Sequence, residues 1–496
     1  MAPREKDWFK YRGYPHISED IPFSKKKDLL RYIQSPRNIA RHSFLPLISK
    51  NIIQRRYKLN HQGRRSHRVF KKGEWQSTRK VRVIEYPCHK DSHIYSYYSQ
   101  KIVQPYYEEL LKKDALLNSS VIAYRKIPIE EGADKNRCNI HFAKEVFDEI
   151  KSRENCVALL YDIENFFPSL DHKLLKLAWA KVLGKKTLPK DHYNIFKSIT
   201  KYSFVNLNDL KVDNRRFDEK KLAEIRASGR NSYFHSVKDF LDSDIKIYKN
   251  PHGNKGIPHG LPISALMANI YMFEFDQSVA QHLSKNHNVY YRRYSDDMIF
   301  ICKKSEVDIV NKFVLDQIKN IKLIVAPDKT EKVYFEESNG IIRTNRIDAS
   351  GKISKGAPLN YLGFEFYGHK TLIKSKNIGG FYREMKESVN RKHRRVERLK
   401  QKYLLDDLPI FKRKIYRLYS YKGIGPRKLV INQSNKNKKR VKDYRGNFIS
   451  YVRKSSEIMG DKNIERQVRN HWRILQATIN KYNFSNRTSN RKSKDL

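Results

Sequence analysis

A chain of 496 residues exceeds what one hydrophobic core usually fills, so several packed subdomains are expected. Hydrophobic residues make up 39% of the sequence and aromatics 12%, which excludes a disordered polyelectrolyte despite 31% charged residues. Lys and Arg number 102 against 53 Asp and Glu, a formal charge of +49. A charge of that size repels itself unless a polyanion covers it, and a long nucleic acid is the natural counter-charge. A membrane surface would need an amphipathic anchor or lipidation signal, and the sequence offers neither. The cations are spread over the whole chain, which suggests several surfaces touching phosphate. Cys88, Cys138, Cys156 and Cys302 lie far apart with no zinc spacing, so reduced thiols and a cytoplasmic setting are expected. The start MAPREKDWFKYRGYPH lacks the apolar core of a signal peptide, and no window of about 18 apolar residues marks a membrane span. The expectation is a soluble protein without membrane contact.

Residues 1 to about 75 are basic and aromatic, and the runs KKDLLRYIQ and HSFLPLISKNIIQRRYKL read as helices, giving an N-terminal helical region. From Lys80, KVRVIEYP alternates basic and β-branched residues as a strand does and stops at Pro87; SHIYSYYSQKIVQPYYEELLKK then reads as a helix. NIHFAKEVFDEI, from Asn139, has helical spacing, and CVALLYDIENFF follows with the dense apolar text of a buried strand that ends on Asp162. Between Ser203 and Gly253 the text is polar with little periodicity and reads as an insertion or helical connector. NVYYRRYSDDMIFICKK, from Asn288, reads as two strands joined by a tight turn at Ser295 to Asp297, which places two carboxylates at a hairpin tip. After Gly368 the chain is strongly basic and helical through REMKESVNRKHRRVERLKQKY; QVRNHWRILQATINKY is a further helix, and the tail NRTSNRKSKDL is expected to fray.

The acidic positions carry the chemistry. Transfer of a nucleotidyl group to a sugar hydroxyl uses two divalent cations about 3.5–4 Å apart, for which carboxylates on rigid strand ends are suitable ligands. A lone Asp162 would more often cap a helix or end a strand, and Asp296 with Asp297 could be a solvated turn. Two adjacent like charges between apolar strands repel unless a cation lies near, and a third carboxylate at a strand end favours a metal site over the bland readings.

YDIENFFPSL, GIPHGLPIS, YSDD, APDKTEKVYF and NYLGFEFYG occur in an order that resembles the motifs of reverse transcriptases, over roughly Lys80 to Gly368. The resemblance implies an α+β right-hand polymerase: fingers over 76–160, a palm of antiparallel sheet and helices over 161–370, and a basic helical thumb and C-terminal region over 371–496. It implies that Asp162, Asp296 and Asp297 hold two Mg²⁺ ions, with Mn²⁺ as a substitute, that Asp297 is the less direct ligand, and that Ile163 lends its backbone carbonyl. Phe167 matches the aromatic that excludes a nucleotide's 2′-hydroxyl; its plain alternative is core packing. In GIPHGLPIS, Gly256, Pro258, Gly260 and Ser264 match the segment under the incoming nucleotide, with His259 where many relatives carry Gln. Arg82, Lys90 and Arg125 resemble the residues that grip the triphosphate, and Lys329 the lysine that protonates departing pyrophosphate. Tyr361 and Gly363 match the hairpin supporting the primer end. Helices after Ser375 would straddle the duplex through its phosphates.

AYRK, NIHFAKEVF and DIENFF are more similar to bacterial retron, abortive-infection and other defence-associated (unknown-group) reverse transcriptases than to retroviral ones. That implies an RNA-directed DNA polymerase using dNTPs and copying a companion non-coding RNA into DNA during phage infection. An RNA hydroxyl and a protein hydroxyl both stay open as primers, and self-association stays open. The alternatives are a group II intron-like or general RNA-directed polymerase, an RNA-dependent RNA polymerase, and a non-catalytic RNA-binding scaffold. Three intact aspartates argue against the scaffold, and Phe167 against RNA synthesis.

Overall fold

The structure is a computed structural model that describes residues 8–54, 58–59, 64–71, 73–130, 132–133, 135–213, 216–347, 351–405, 408–426 and 444–492. The chain divides into two compact units, the first made of Met1–Arg125, Leu160–Phe300 and Ser305–Thr330, the second of Lys126–Leu159, Ile301–Lys304 and Glu331–Leu496.

In the first unit a four-stranded sheet runs in the order Lys80–Tyr86, Leu47–Gln54, Ser203–Asn206, Tyr248–Lys249. Lys80–Tyr86 is the strand the alternating text calls for, and it pairs antiparallel with Leu47–Gln54 from Ile48 opposite Tyr86 to Gln54 opposite Lys80. This corrects the helical reading of the N-terminal region. Lys26–Gln34 and Pro36–Ala40 are helices, but LISKNIIQ is a strand. Its apolar run fits either period, and the β-branched Ile48, Ile52 and Ile53 behind Pro46 favour extended backbone. The polar text between Ser203 and Gly253 is likewise no mere connector. Ser203–Asn206 pairs in parallel with Leu47–Gln54, and Val205, Phe234 and Phe240 share one buried cluster with Ile17 and Ile48. Two short helices, Glu219–Ala227 and Val237–Leu241, lie between its strands, each started by a side-chain cap, Asp218 and Ser236.

The same unit contains the hairpin of Tyr290–Tyr294 and the start of Asp297–Cys302, beside the end of Cys156–Asp162. Tyr161, Tyr291 and Phe300 are fully buried and pack ring to ring, with centroids 5.7 Å apart for Tyr161 and Phe300 and 4.7 Å for Tyr291 and Phe300. The dense apolar text thus becomes a rigid floor that ends on acidic residues.

In the second unit the helix Asn139–Arg153 packs Phe147 flat against Phe366, centroids 4.5 Å apart. Phe366 belongs to the antiparallel sheet of Leu359–Tyr361, Phe364–Phe366 and Thr371–Ile373. The basic text after it forms the helix Ser375–Tyr403, followed by Lys412–Tyr419, Phe448–Met459 and His471–Lys492. The last helix continues through most of the tail expected to fray; residues 493–496 of that tail lie outside the described residues. All four cysteines are free thiols. Among the described residues no helix is long and apolar enough to cross a membrane.

Candidate active site

Asp162 ends its strand in a fixed setting. Its backbone carbonyl accepts from the Ala326 N–H at 2.8 Å, and the Glu164 N–H donates to the Ile324 carbonyl at 2.8 Å. These two bonds flank the antiparallel bridge of Ile163 with Val325, so the Ile163 carbonyl faces away from that segment. The Asp162 carboxylate is ion-paired with the Lys329 ammonium. Asp296 sits in the hairpin turn after Ser295, whose φ of 63° lies in the left-handed region. Burial holds the Asp296 carboxyl above its ordinary range, and the charge of Asp162 raises it further.

The turn is clamped from beneath. Arg293 is fully buried and forms a two-pronged ion pair with Asp276, Nε to Oδ1 at 2.8 Å and Nη2 to Oδ2 at 2.5 Å. Its remaining nitrogen donates to Asn269 Oδ1 and to the Ser295 carbonyl, both at 3.1 Å. Burial alone would lower the Arg293 pKa, but the Asp276 carboxylate raises it above the ordinary value, so the guanidinium stays charged. From above, the Tyr124 hydroxyl donates to Ser295 Oγ at 3.0 Å. Arg293, Asp276, Asn269 and Tyr124 were not singled out from the sequence. An arginine inside YYRRY looks like one more surface cation, and only its register on the strand turns it inward.

A cleft of about 880 Å³ opens beside the turn, lined by Arg82, Tyr124, Ile163, Phe167, His259, Asp296 and Lys329 among others. Phe167 stacks on His259 with centroids 4.8 Å apart and planes 4° apart. His259 is fixed through its backbone: its N–H donates to Glu85 Oε2 and its carbonyl accepts from the Glu85 N–H, both at 3.1 Å. Gly260 has φ 138°, and a Cβ there would lie 2.5 Å from the Glu85 carbonyl oxygen, so only glycine lets this segment approach the strand Lys80–Tyr86. Gly256 has φ 82° and would set a Cβ 2.8 Å from the Pro168 carbonyl. The Ile257 N–H donates to the Phe167 carbonyl at 3.0 Å, and Ser264 Oγ donates to the Pro258 carbonyl at 2.7 Å. The glycine-rich text thus supports the wall that carries Phe167.

Arg125, Lys90 and Asp297 do not line this cleft. Arg125 donates to Glu108, Asn118 and the Val121 carbonyl, and its side chain is 4% exposed. It is a structural clamp, and its neighbour Tyr124 reaches the cleft instead. Lys90 lies on the helix His89–Tyr97 with its ammonium 3.8 Å from the Tyr32 ring centre, and it does not line the cleft. Tyr361 is buried in the core of the second unit rather than presented to a nucleic acid. Gly363 does form the turn the text calls for, at φ 94° after Leu362 at φ 42°. Asp297 is exposed at the start of its strand and does not line the cleft.

The donor set fits a hard divalent cation in part. Asp162 and Asp296 offer oxygen donors whose charges already act on each other, and such sites leave room for waters and substrate phosphates. Among the described residues no three His, Cys, Asp or Glu side chains gather as a closed ligand cluster. Asp162 and Asp296 are the residues that could hold such a cation. The ions would sharpen the attacking hydroxyl and stabilise the leaving pyrophosphate.

Residues 214–366 match the family model described as reverse transcriptase (RNA-dependent DNA polymerase). Asp162 precedes the matched residues. No match was found among curated proteins. Among solved structures, telomerase from Candida albicans with a TWJ fragment of telomeric RNA aligns at 12% identity and TM-score 0.37, covering 92% of this chain and 65% of that one. Apo telomerase from Candida tropicalis, truncated from its C-terminal domain, aligns at 12% identity and TM-score 0.34, covering 58% of this chain and 54% of that one. The chain spans less than two thirds of the length of each of these structures. The matched residues take in both the YSDD turn and the glycine-rich segment that supports Phe167, so over residues 214–366 the chain is similar to a reverse transcriptase domain.

Proposed function

We propose that the protein makes DNA from dNTPs on an RNA template, that this template is a companion non-coding RNA, and that the activity serves bacterial antiphage defence. One observation carries the catalytic part: Asp296, raised by burial and by the charge of Asp162, stands at a cleft lined by Phe167, Arg82 and Lys329. In this reading Asp162, Asp296 and Asp297 hold two Mg²⁺ ions, and Phe167 stacked on His259 closes the space beside the sugar. Arg82 is an exposed cation lining the cleft and would meet the triphosphate. Lys329, ion-paired with Asp162, would give a proton to departing pyrophosphate. Fingers over 76–160, palm over 161–370 and thumb over 371–496 are the matching division of labour.

The RNA and defence parts rest on the charge of +49 and on the similarity of AYRK, NIHFAKEVF and DIENFF to defence-associated enzymes. Primer extension on copurified RNA, supplied with dNTPs or with NTPs, tests the reaction: DNA made only from dNTPs is expected, and products from NTPs alone would point to an RNA polymerase. No product of either kind would leave the scaffold reading. Sequencing the bound RNA tests the partner. One dominant non-coding species that also templates the DNA supports it, and a random transcript population defeats it.

A further inference from the structure

The second unit contains a concavity of about 690 Å³ lined by Lys392, Phe411, Arg413, Lys414, Tyr416, Arg417 and Lys422 with the turn 423–425. Among the described residues no acidic side chain lines it. Among the described residues Lys392, Arg413, Lys414 and Arg417 make no ion pair, and all four line this one concavity. Lys422 is held in place by aromatic faces, its ammonium 4.8 Å from the Trp472 ring centre and 5.8 Å from that of Tyr416. Phe411 is 46% exposed at the rim.

The wall is built, not incidental. The Asn447 side chain donates to the Arg417 carbonyl at 3.1 Å and the Ser420 carbonyl at 2.8 Å, while its oxygen caps the helix Phe448–Met459. A Cβ on Gly423 would lie 2.1 Å from the Arg417 carbonyl oxygen, so the turn closes back on the helix Lys412–Tyr419 only with glycine there. Converging cations, an exposed aromatic ring and a fixed wall suit a flexible anion with flat apolar faces. The volume falls in the range of roughly 300–1,000 Å³ typical of small-ligand sites, room for a nucleotide or two but not for a duplex.

We propose that this concavity binds an unpaired segment of RNA, its phosphates on Arg413, Lys414 and Arg417 and one base on Phe411. The proposal rests on the reading of the chain as an RNA-binding protein, but not on its polymerase activity. The test uses the full chain and a labelled single-stranded RNA hexamer, a blunt RNA duplex, an abasic hexamer and a nucleoside triphosphate, followed by fluorescence anisotropy over a salt series. The triple variant R413Q/K414Q/R417Q should lower the slope of log affinity against log salt by about 2 for the hexamer, since each phosphate contact to a single strand contributes roughly 0.7. Its effect on the duplex slope should be smaller, since the other helices after Ser375 also offer cations to duplex phosphates. Phe411→Ala should weaken the hexamer roughly 5- to 150-fold, the worth of one stacked base, and leave the abasic hexamer unaffected. Equal losses for hexamer and duplex would overturn the proposal in favour of general electrostatic capture. A triphosphate that binds as tightly as the hexamer would overturn it in favour of a free-nucleotide site. If the hexamer binds and none of the variants weakens it, the concavity is not the site although the RNA reading survives; if no RNA binds at all, that reading falls first.

Discussion

Removing Asp276 should do more harm than removing any exposed acid, because it strands the Arg293 guanidinium where neither residue's side chain has any exposure. Asp276→Ala deletes both prongs of the pair and the acceptor of the Tyr291 hydroxyl at 2.8 Å. Breaking a buried pair from one side costs about 3–5 kcal/mol, a large fraction of the roughly 5–15 kcal/mol that holds a domain together. The double variant D276L/R293M removes both charges and fills the space, so it should recover much of that loss. It cannot recover the bonds from Arg293 to Asn269 and to the Ser295 carbonyl, which hold the turn carrying Asp296. Urea unfolding should therefore rank wild type above the double variant and the double variant above D276A, while DNA synthesis stays impaired in both. A cost below about 1 kcal/mol for D276A, or full synthesis by the double variant, would refute the argument that this pair positions the catalytic turn.

Three further outcomes are expected. Asp296→Ala combined with Asp297→Ala should abolish nucleotide incorporation with little change in unfolding midpoint, and chelation should do the same to the wild type, reversed by Mg²⁺ or Mn²⁺; continued synthesis by the double variant would end the metal-site assignment. Phe167→Val should admit ribonucleotides, read as a fall in the ratio of dNTP to NTP incorporation efficiency, and an unchanged ratio would make Phe167 a packing residue only. His16 is buried against the Tyr86 carbonyl at 3.2 Å, and burial takes its pKa down to about 3. An unfolded histidine titrates near 6.5, so between these values the unfolded chain binds the extra proton, and stability is complete above pH 6.5 and falls as pH drops towards 3. At pH 5 the loss from this one group is about 2 kcal/mol. His16→Gln should flatten that part of the stability profile, and an identical profile would show that His16 does not drive it.

The strand from Lys80, the helix from Asn139, the strand ending at Asp162 and the YSDD hairpin were legible because each carries one unambiguous period or a tight turn between apolar runs. LISKNIIQ was not, because eight residues with apolar positions at both spacings suit a helix or a strand, and its partner Lys80–Tyr86 lies some thirty residues away. Ser203–Asn206 was hidden for a related reason. Four residues show no period, and what makes them a strand is the edge of Leu47–Gln54 against which they lie. The glycine positions were readable as close approaches, and the carbonyls of Glu85 and Pro168 are what they approach.

The cations of the site were read less well than the carboxylates, and the reason lies in what each charge is bonded to. A carboxylate at a strand end between apolar residues is conspicuous, because nothing in such text would otherwise tolerate it. An arginine is conspicuous nowhere in a chain with 102 Lys and Arg. Its availability to a phosphate depends on the bonds it would have to give up, each worth roughly 1.5–3 kcal/mol when one partner is charged. Arg125 holds Glu108 through Nε and Nη2 and Asn118 and Val121 through its other contacts, so a triphosphate would have to outbid a whole network. Lys90 gives up an aromatic face 3.8 Å away. Among the described residues Arg82 has one long hydrogen bond, 3.4 Å to Gln54, and it lines the cleft with Phe167 and Asp296. Of the three, Arg82 would meet an incoming phosphate at the smallest loss of existing contacts, and the basic strand Lys80–Tyr86 is the one whose cations line the cleft, while AYRK bonds the turn through Tyr124.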